Sequence, residues 1–354
     1  MQFSSRSPDC IVETFLAHFR QHLRQHQRQQ QPVPPSWPRA YFDDDDGVGD
    51  GVTREAFSLF WEAAYGRMFQ TQGGDLSLPI ISPTFNSQLW EIVGIILAYT
   101  VAVLGQFPIR CISEVVCRAL LGLPPDEDEE ILINDFLSTL GERERELLSP
   151  LYFYEGEHLS SFVASRRADI LEILREFSVS TLPPTREIRA LIVNTARHSL
   201  LEVPRAAITA MESGFHSVTG NFFSQVSGRM VSSWYQQQRR PVFEEICARL
   251  YMESDEEDAA GRVFDLLVGF LREHREDEDL LRRFLRYSTG TSNARGDRIR
   301  VEIRRDNRFI THETCFSSIR LPLIQDTREA EEAFLVQLLH ELSESSSEWS
   351  FNSG

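Results

Sequence analysis

The sequence contains no lysine. All 36 basic side chains are arginine, set against 53 acidic ones, for a net charge of −17. The chain therefore has no side-chain amine, and the guanidinium groups in its place stay protonated and do not attack as nucleophiles. The acid excess argues against broad binding to nucleic acid or to an anionic membrane surface. Cysteine is sparse, with five residues at 10, 111, 117, 247 and 315. An odd and widely spread set does not form a disulfide framework, and no pair has zinc-ligand spacing. Such usage suits a reducing compartment, so a cytoplasmic protein is expected, with the nucleus as the alternative. The N-terminus lacks the continuous apolar stretch of a secretory signal and runs into Gln and Arg. One apolar segment, residues 90–104, is short for a bilayer and carries Glu91. It reads as a helix buried on all sides in a protein core. Nothing in the pattern calls for a cofactor or a metal.

What is present has the composition of a globular protein, 42% hydrophobic and 25% charged, over a length that accommodates two domains. Apolar positions at Val12, Phe15, Phe19 and Leu23 predict a helix over residues 9–24, followed by a Pro- and Gln-rich linker. The acidic run at 43–50 lacks the spacing of a calcium loop and reads as a solvated turn. Thr53 is expected to cap a helix whose apolar face is Phe57, Phe60, Trp61, Ala64, Tyr65 and Met68. Helical patterns continue to about residue 235, punctuated by Gly and Pro. The pattern then changes. Helices are predicted at 242–252 and 258–273. A strand is predicted at 299–304, where Ile299, Val301 and Ile303 alternate with Arg300, Glu302 and Arg304. Residues 316–321 are a second strand candidate, and Phe334, Leu335, Leu338, Leu339 and Leu342 mark a closing amphipathic helix. The expected class is α+β, a mostly helical first part followed by a small α+β part.

Cys315 lies in the polar segment ThrHisGluThrCysPhe, between the two predicted strands, where a thiol is accessible. Cys111, Cys117 and Cys247 belong to helical patterns and read as small buried hydrophobes. Cys315 is thus the nucleophile candidate. Its context resembles a known family. Residues 280–292 (LLRRFLRYSTGTS), the strand, and residues 314–322 (TCFSSIRLP) are similar to the C-terminal lobe of HECT-type ubiquitin ligases. Thr289 and Gly290 match the first motif of that lobe; Thr314, Cys315, Phe316, Leu321 and Pro322 match its active-site loop. Residues 50–55 (DGVTRE), the apolar segment at 90–104 and Leu120-Leu121-Gly122 resemble the family more loosely. Phe351, fourth from the C-terminus, stands where many members carry a phenylalanine needed for ligation.

The resemblance implies a bilobal HECT-like fold. Residues 1–38 would be an N-terminal helix and linker, 39–238 the N-terminal lobe that docks a conjugating enzyme, and 239–354 the C-terminal lobe with the catalytic cysteine. Residues 236–240 would be the hinge. Cys315 would accept ubiquitin as a thioester and pass it to an amine of a protein substrate that the sequence does not name. Thr314 would steady the loop or the oxyanion, and Phe351 would anchor the tail. Two departures stand out. Glu313 occupies the position of the histidine that usually precedes Thr-Cys. His312 sits one residue earlier, and either replaces that helper through a shifted loop or leaves the helper missing. The segment between about 126 and 200 is short. These departures favour an alternative, a HECT-like interaction module that binds ubiquitin or a conjugating enzyme without transfer. The intact Thr314-Cys315-Phe316, Leu321-Pro322 and Phe351 favour the active ligase.

A ligase without lysine offers its own thioester no side-chain amine. Codon bias towards arginine and selection against self-modification both account for the absence. Under selection, a reaction run without substrate modifies only the N-terminal amine, hydroxyls or thiols, and Arg239→Lys with Arg240→Lys creates a new site there. Mass spectrometry of the products checks this. A lysine-bearing version modified no more than the parent leaves codon bias as the account.

Overall fold

A computed structural model describes residues 1–29, 38–43, 50–108, 110–124, 128–220, 222–223, 225–239, 243–289, 298–313 and 317–347. The chain is mostly helical with small sheets, an α+β protein as its sequence pattern predicts. In order, the elements are β1 (Gln2–Phe3), α1 (Pro8–Gln29), β2 (Tyr41–Phe42), α2 (Asp50–Ala64), β3 (Phe69–Gln70), β4 (Leu78–Pro79), α3 (Ser87–Leu104) and α4 (Glu114–Leu120). Then come α5 (Glu129–Thr139), α6 (Glu142–Phe153), α7 (Gly156–Glu176), α8 (Thr185–Arg197), a π-helical turn His198–Glu202, α9 (Arg205–Thr219) and α10 (Gly228–Arg239). The last group is α11 (Phe243–Cys247), β5 (Leu250–Glu253), α12 (Glu257–Glu273), α13 (Glu278–Thr289), β6 (Ile299–Arg304), β7 (Thr311–Glu313), β8 (Ser318–Pro322) and α14 (Arg328–Ser347).

Helix α3 is apolar all round over its middle and is buried to match, with every residue from Ile92 to Val101 enclosed. Asn86 caps its start by accepting from the Leu89 N–H, and Gly105, at φ +68°, closes its end by donating to the Val101 carbonyl. Among the described residues it is the one helix long and apolar enough to cross a membrane. Here its surface is covered by protein. Phe19 of α1 packs on Tyr99, and the Trp61 indole of α2 donates to the Thr100 hydroxyl at 2.7 Å. On another side α3 meets α9 so closely that both crossing positions must be glycine. A Cβ on Gly94 would overlap the Met211 carbonyl oxygen, and a Cβ on Gly214 would overlap that of Glu91.

This first core also takes in Val12, Phe15, Phe19 and Leu23, the stripe that the sequence predicts for α1. Helix α1 therefore shares one core with α2 and α3. Thr53 is not the cap of α2. The helix begins at Asp50, and the Thr53 hydroxyl, inside the first turn, accepts from the Ala40 N–H at 3.2 Å. A second core gathers α5 to α8 around Ile133, Phe136, Leu148, Ile170, Ile188 and Ile192.

The third core holds the sheet of order β5-β6-β8-β7, with β5, β6 and β8 parallel and β7 antiparallel to β8. Strand β6 fills the predicted residues 299–304. Its Ile299, Val301 and Ile303 are buried with Ile319 and Leu321 of β8 against Phe334, Leu338 and Leu342 of α14. The predicted helix over 242–252 is shorter. It ends at Cys247, and the chain extends into β5 to pair with β6. Tyr251 and Met252 fit a pleated edge, and strand pairing outweighs the helical spacing of Phe243, Ile246 and Leu250. Residues 236–239 of the expected hinge are the last turn of α10, where Gln238 is buried and accepts from the Phe107 N–H at 2.9 Å. Arg240, the last residue of the expected hinge, lies outside the described residues. Arg286 of α13 binds Glu62 of α2 through both terminal guanidinium nitrogens, which joins the third core to the first.

The α3–α9 crossing gives a direct test. Gly94→Ala and Gly214→Ala each force backbone apart and are expected to cost about 3 kcal/mol of stability. Gly261→Ala on α12, where a Cβ meets open space, is expected to be neutral or to stabilise by up to ~1 kcal/mol. Urea unfolding measures all three. Equal effects at the three positions would mean that the crossing is not a close contact.

Candidate functional site

The segment that carries the nucleophile candidate is bounded by two described strands. Glu313, the last residue of β7, pairs with Ser318, the first of β8, and His312 pairs with Ile319. Thr314, Cys315 and Phe316 lie between them and outside the described residues, as does Phe351. Among the sequence-predicted site residues, His312 is the one whose surroundings are described. Its ring lies 4.1 Å from that of Tyr287 on α13. The Tyr287 hydroxyl donates to the Ile310 carbonyl at 3.3 Å. Burial, with Glu341 nearby, raises the Tyr287 hydroxyl far above its ordinary range, so it stays a neutral donor. His312 keeps contact with solvent on one side, yet the desolvation around its ring lowers its pKa from 6.5. A neutral imidazole is the dominant form at pH 7, able to accept a proton rather than to pair with a carboxylate.

Two residues on the far side of the segment carry signals that the sequence reading missed. Ser317 has φ +49°, a left-handed backbone that a non-glycine residue adopts at a cost of about 1 kcal/mol. Its carbonyl accepts from the Arg300 N–H at 2.9 Å, which ties the strained residue to β6. Ser318 is fully buried, and its hydroxyl has no hydrogen-bond partner among the described residues. Backbone strain and an orphaned buried hydroxyl are features that collect at functional loops. A Ser-Ser pair gives no sequence sign of either.

The other thiols are differently placed. Cys111 and Cys117 are fully enclosed; burial pushes the first up to about 12 and the second well above the ordinary thiol range. Burial also raises Cys247. Cys111, in the turn before α4, and Cys117 on α4 fit the reading of a small buried hydrophobe, whereas Cys247 at the end of α11 is only half-buried. Cys10 differs. Burial acts upward on it, but hydrogen bonds with Ser4 and Ser5 outweigh this and leave its pKa below the ordinary value. Among the described residues, no three His, Cys, Asp or Glu side chains converge to hold a metal ion.

Compared with known proteins, the chain matches no family model and no curated sequence.

His312 makes the acid response of the fold specific. Its folded pKa lies below the unfolded value of about 6.5, so on acidification the unfolded chain takes up a proton that the folded chain resists. Stability therefore falls as the pH drops below about 6.5, until the folded ring itself protonates. His312→Gln is expected to lose less stability than the parent between about pH 7 and pH 5. Urea midpoints at the two values test it, and equal losses would remove His312 from the account.

Proposed function

We propose that this chain is a HECT-type ubiquitin ligase that carries ubiquitin as a thioester on Cys315. The observation that carries the reading is the nonapeptide at 314–322, whose thiol falls between the paired strand ends Glu313 and Ser318. Its Leu321 is a fully buried anchor of β8, so the motif positions serve both the strand and the loop before it. In the bilobal arrangement, the third core would be the small α+β catalytic lobe, and the first two cores would form the mostly helical lobe that docks the conjugating enzyme. Phe153 and Tyr154, half exposed at the end of α6 with the Tyr154 ring 5.8 Å from Phe162, supply an aromatic surface for that enzyme.

The chemistry is two acyl transfers. The Cys315 thiolate attacks the thioester carbonyl at the ubiquitin C-terminus; a new C–S bond forms and the conjugating enzyme's thiolate leaves. A deprotonated substrate amine then attacks that carbonyl, an amide forms, and the Cys315 thiolate leaves. A thiol of ordinary pKa is nucleophilic enough for this exchange, so the main contribution is bringing large partners together. His312, neutral at pH 7, suits a group that takes a proton from the incoming amine. Thr314 would steady the loop or the oxyanion, and Phe351 would hold the tail for the second step. The partners are ubiquitin, a conjugating enzyme and a protein substrate, in the cytoplasm or nucleus. The second reading is a HECT-like module that binds without transfer, and Glu313 in place of the usual histidine is the observation that favours it.

A non-reducing gel after mixing with activating enzyme, conjugating enzymes and ubiquitin separates the two. The ligase gives a thiol-sensitive adduct that disappears in Cys315→Ala and persists in Cys10→Ala, Cys111→Ala, Cys117→Ala and Cys247→Ala. Phe351→Ala is expected to spare the adduct and slow its discharge to substrate by about tenfold or more. An adduct that survives Cys315→Ala would sink the assignment, and no adduct with any conjugating enzyme would leave the binding module.

A further inference from the structure

A cleft of about 240 Å³ between α1 and the start of α3 takes no part in the reading above. Arg20 and Arg24 line it together with Thr84, Asn86, Gln88 and Leu89, and among the described residues no carboxylate does. In a chain of net charge −17 that is an unusual surface. Other arginines of the same core are matched: Arg6 with Glu55, Arg67 with Asp9, Arg118 with Glu114. Arg20 and Arg24 have no ion-pair or hydrogen-bond partner among the described residues. They sit four residues apart on one helix, where like charges face each other and destabilise it. A bound anion would reverse that cost.

The neutral groups in the cleft are aligned with the same task. The Asn86 side-chain oxygen is already used, since it accepts from the Leu89 N–H at 2.9 Å. The two amide hydrogens of Asn86 are in no hydrogen bond among the described residues. Thr84 shares a 2.6 Å hydroxyl contact with Ser82, which fixes its position at the rim. Gln88 adds a further amide donor. The charge comes from the arginine pair, and the place at the start of α3 only adds to it.

We propose that this cleft binds a phosphate monoester, as a phosphorylated serine or threonine of a partner protein. Two guanidinium forks match a dianion with three acceptor oxygens, whereas a single carboxylate occupies one fork and leaves the second charge unanswered. The inference stands apart from the thioester reading and holds equally for a module that transfers nothing.

The test uses the full chain and a degenerate phosphoserine peptide pool, with serine and glutamate versions of the same pool and with inorganic phosphate as competitor. The phosphorylated pool is expected to bind, to weaken as salt is raised, and to be displaced by inorganic phosphate. Arg20→Gln with Arg24→Gln is expected to weaken it at least about tenfold with a melting temperature unchanged or slightly raised, since the like-charge pair is gone. Arg143→Gln, an exposed arginine on α6 paired with Glu172, serves as the charge control and is expected to leave binding intact. Absence of binding, binding unchanged in the double variant, or an equal loss in the Arg143 control overturns the site. Equal binding of the glutamate pool overturns the phosphate assignment. Arginine-dependent binding of inorganic phosphate but not of any peptide overturns the protein segment as its source.

Discussion

The close crossing of α3 and α9 is the constraint on which the first core depends. Two backbones touch there because Gly94 and Gly214 leave no side chain between them. Helix α3 is buried around its whole circumference, so a shift on the α9 side would be felt by α1 and α2 on the others, through Phe19 on Tyr99 and Trp61 on Thr100. Close-packed interiors transmit such a displacement rather than absorb it. The result is a stiff platform, and the elements that lead towards the third core are fastened to it.

The fastening is polar. Glu114 and Arg118 of α4 are both buried, and Glu114 accepts from Arg118 at 3.3 Å, from the Ser232 hydroxyl at 2.5 Å and from the Gln236 amide at 3.3 Å. Arg118 also donates to Ser232 at 2.6 Å. Further along α10, Tyr235 donates to the Ile112 carbonyl and Gln238 accepts from Phe107. A buried ion pair of this kind adds little net stability, but breaking it is costly, about 3–5 kcal/mol, because one charge is left alone. Its effect is to fix the position of α10 against α4. The last turn of α10 is thereby tied to the first core.

Much of this was legible in the sequence because its causes are local. The strict alternation at 299–304 gave β6 to the residue, the stripe Val12, Phe15, Phe19 and Leu23 gave α1, and the all-apolar run gave a helix covered on every side. What escaped depends on partners distant in the chain. Residues 250–253 satisfy a helical spacing and become a strand only because β6 lies beside them. Thr53 looks like a cap until Ala40, thirteen residues earlier, claims its hydroxyl. The left-handed Ser317 and the Ser318 hydroxyl, buried without a partner among the described residues, lie where β8 pairs with β6 and β7, an arrangement that no composition records. At the candidate site, the sequence placed the thiol, and the fold added the neutral His312 on Tyr287 beside it.

The missing lysines also have a structural side. On the outer face of the third core's sheet, Glu302 is 7% exposed and receives the Nε of Arg304 at 2.7 Å and the Nε of Arg320 at 3.2 Å. Arg300 and Arg304 reach Glu253 on the next strand at 3.5 and 4.0 Å. This ladder uses the guanidinium as a planar fork, with Nε binding one carboxylate while the terminal nitrogens turn to another. A lysine ammonium is a single, strongly hydrated point and cannot bridge two strands in that way. At Arg304, which reaches Glu302 through Nε and Glu253 through a terminal nitrogen, the fork favours arginine over lysine. Only arginines without such a lattice, outside the sheet, can report whether the absence of amines protects the proposed thioester.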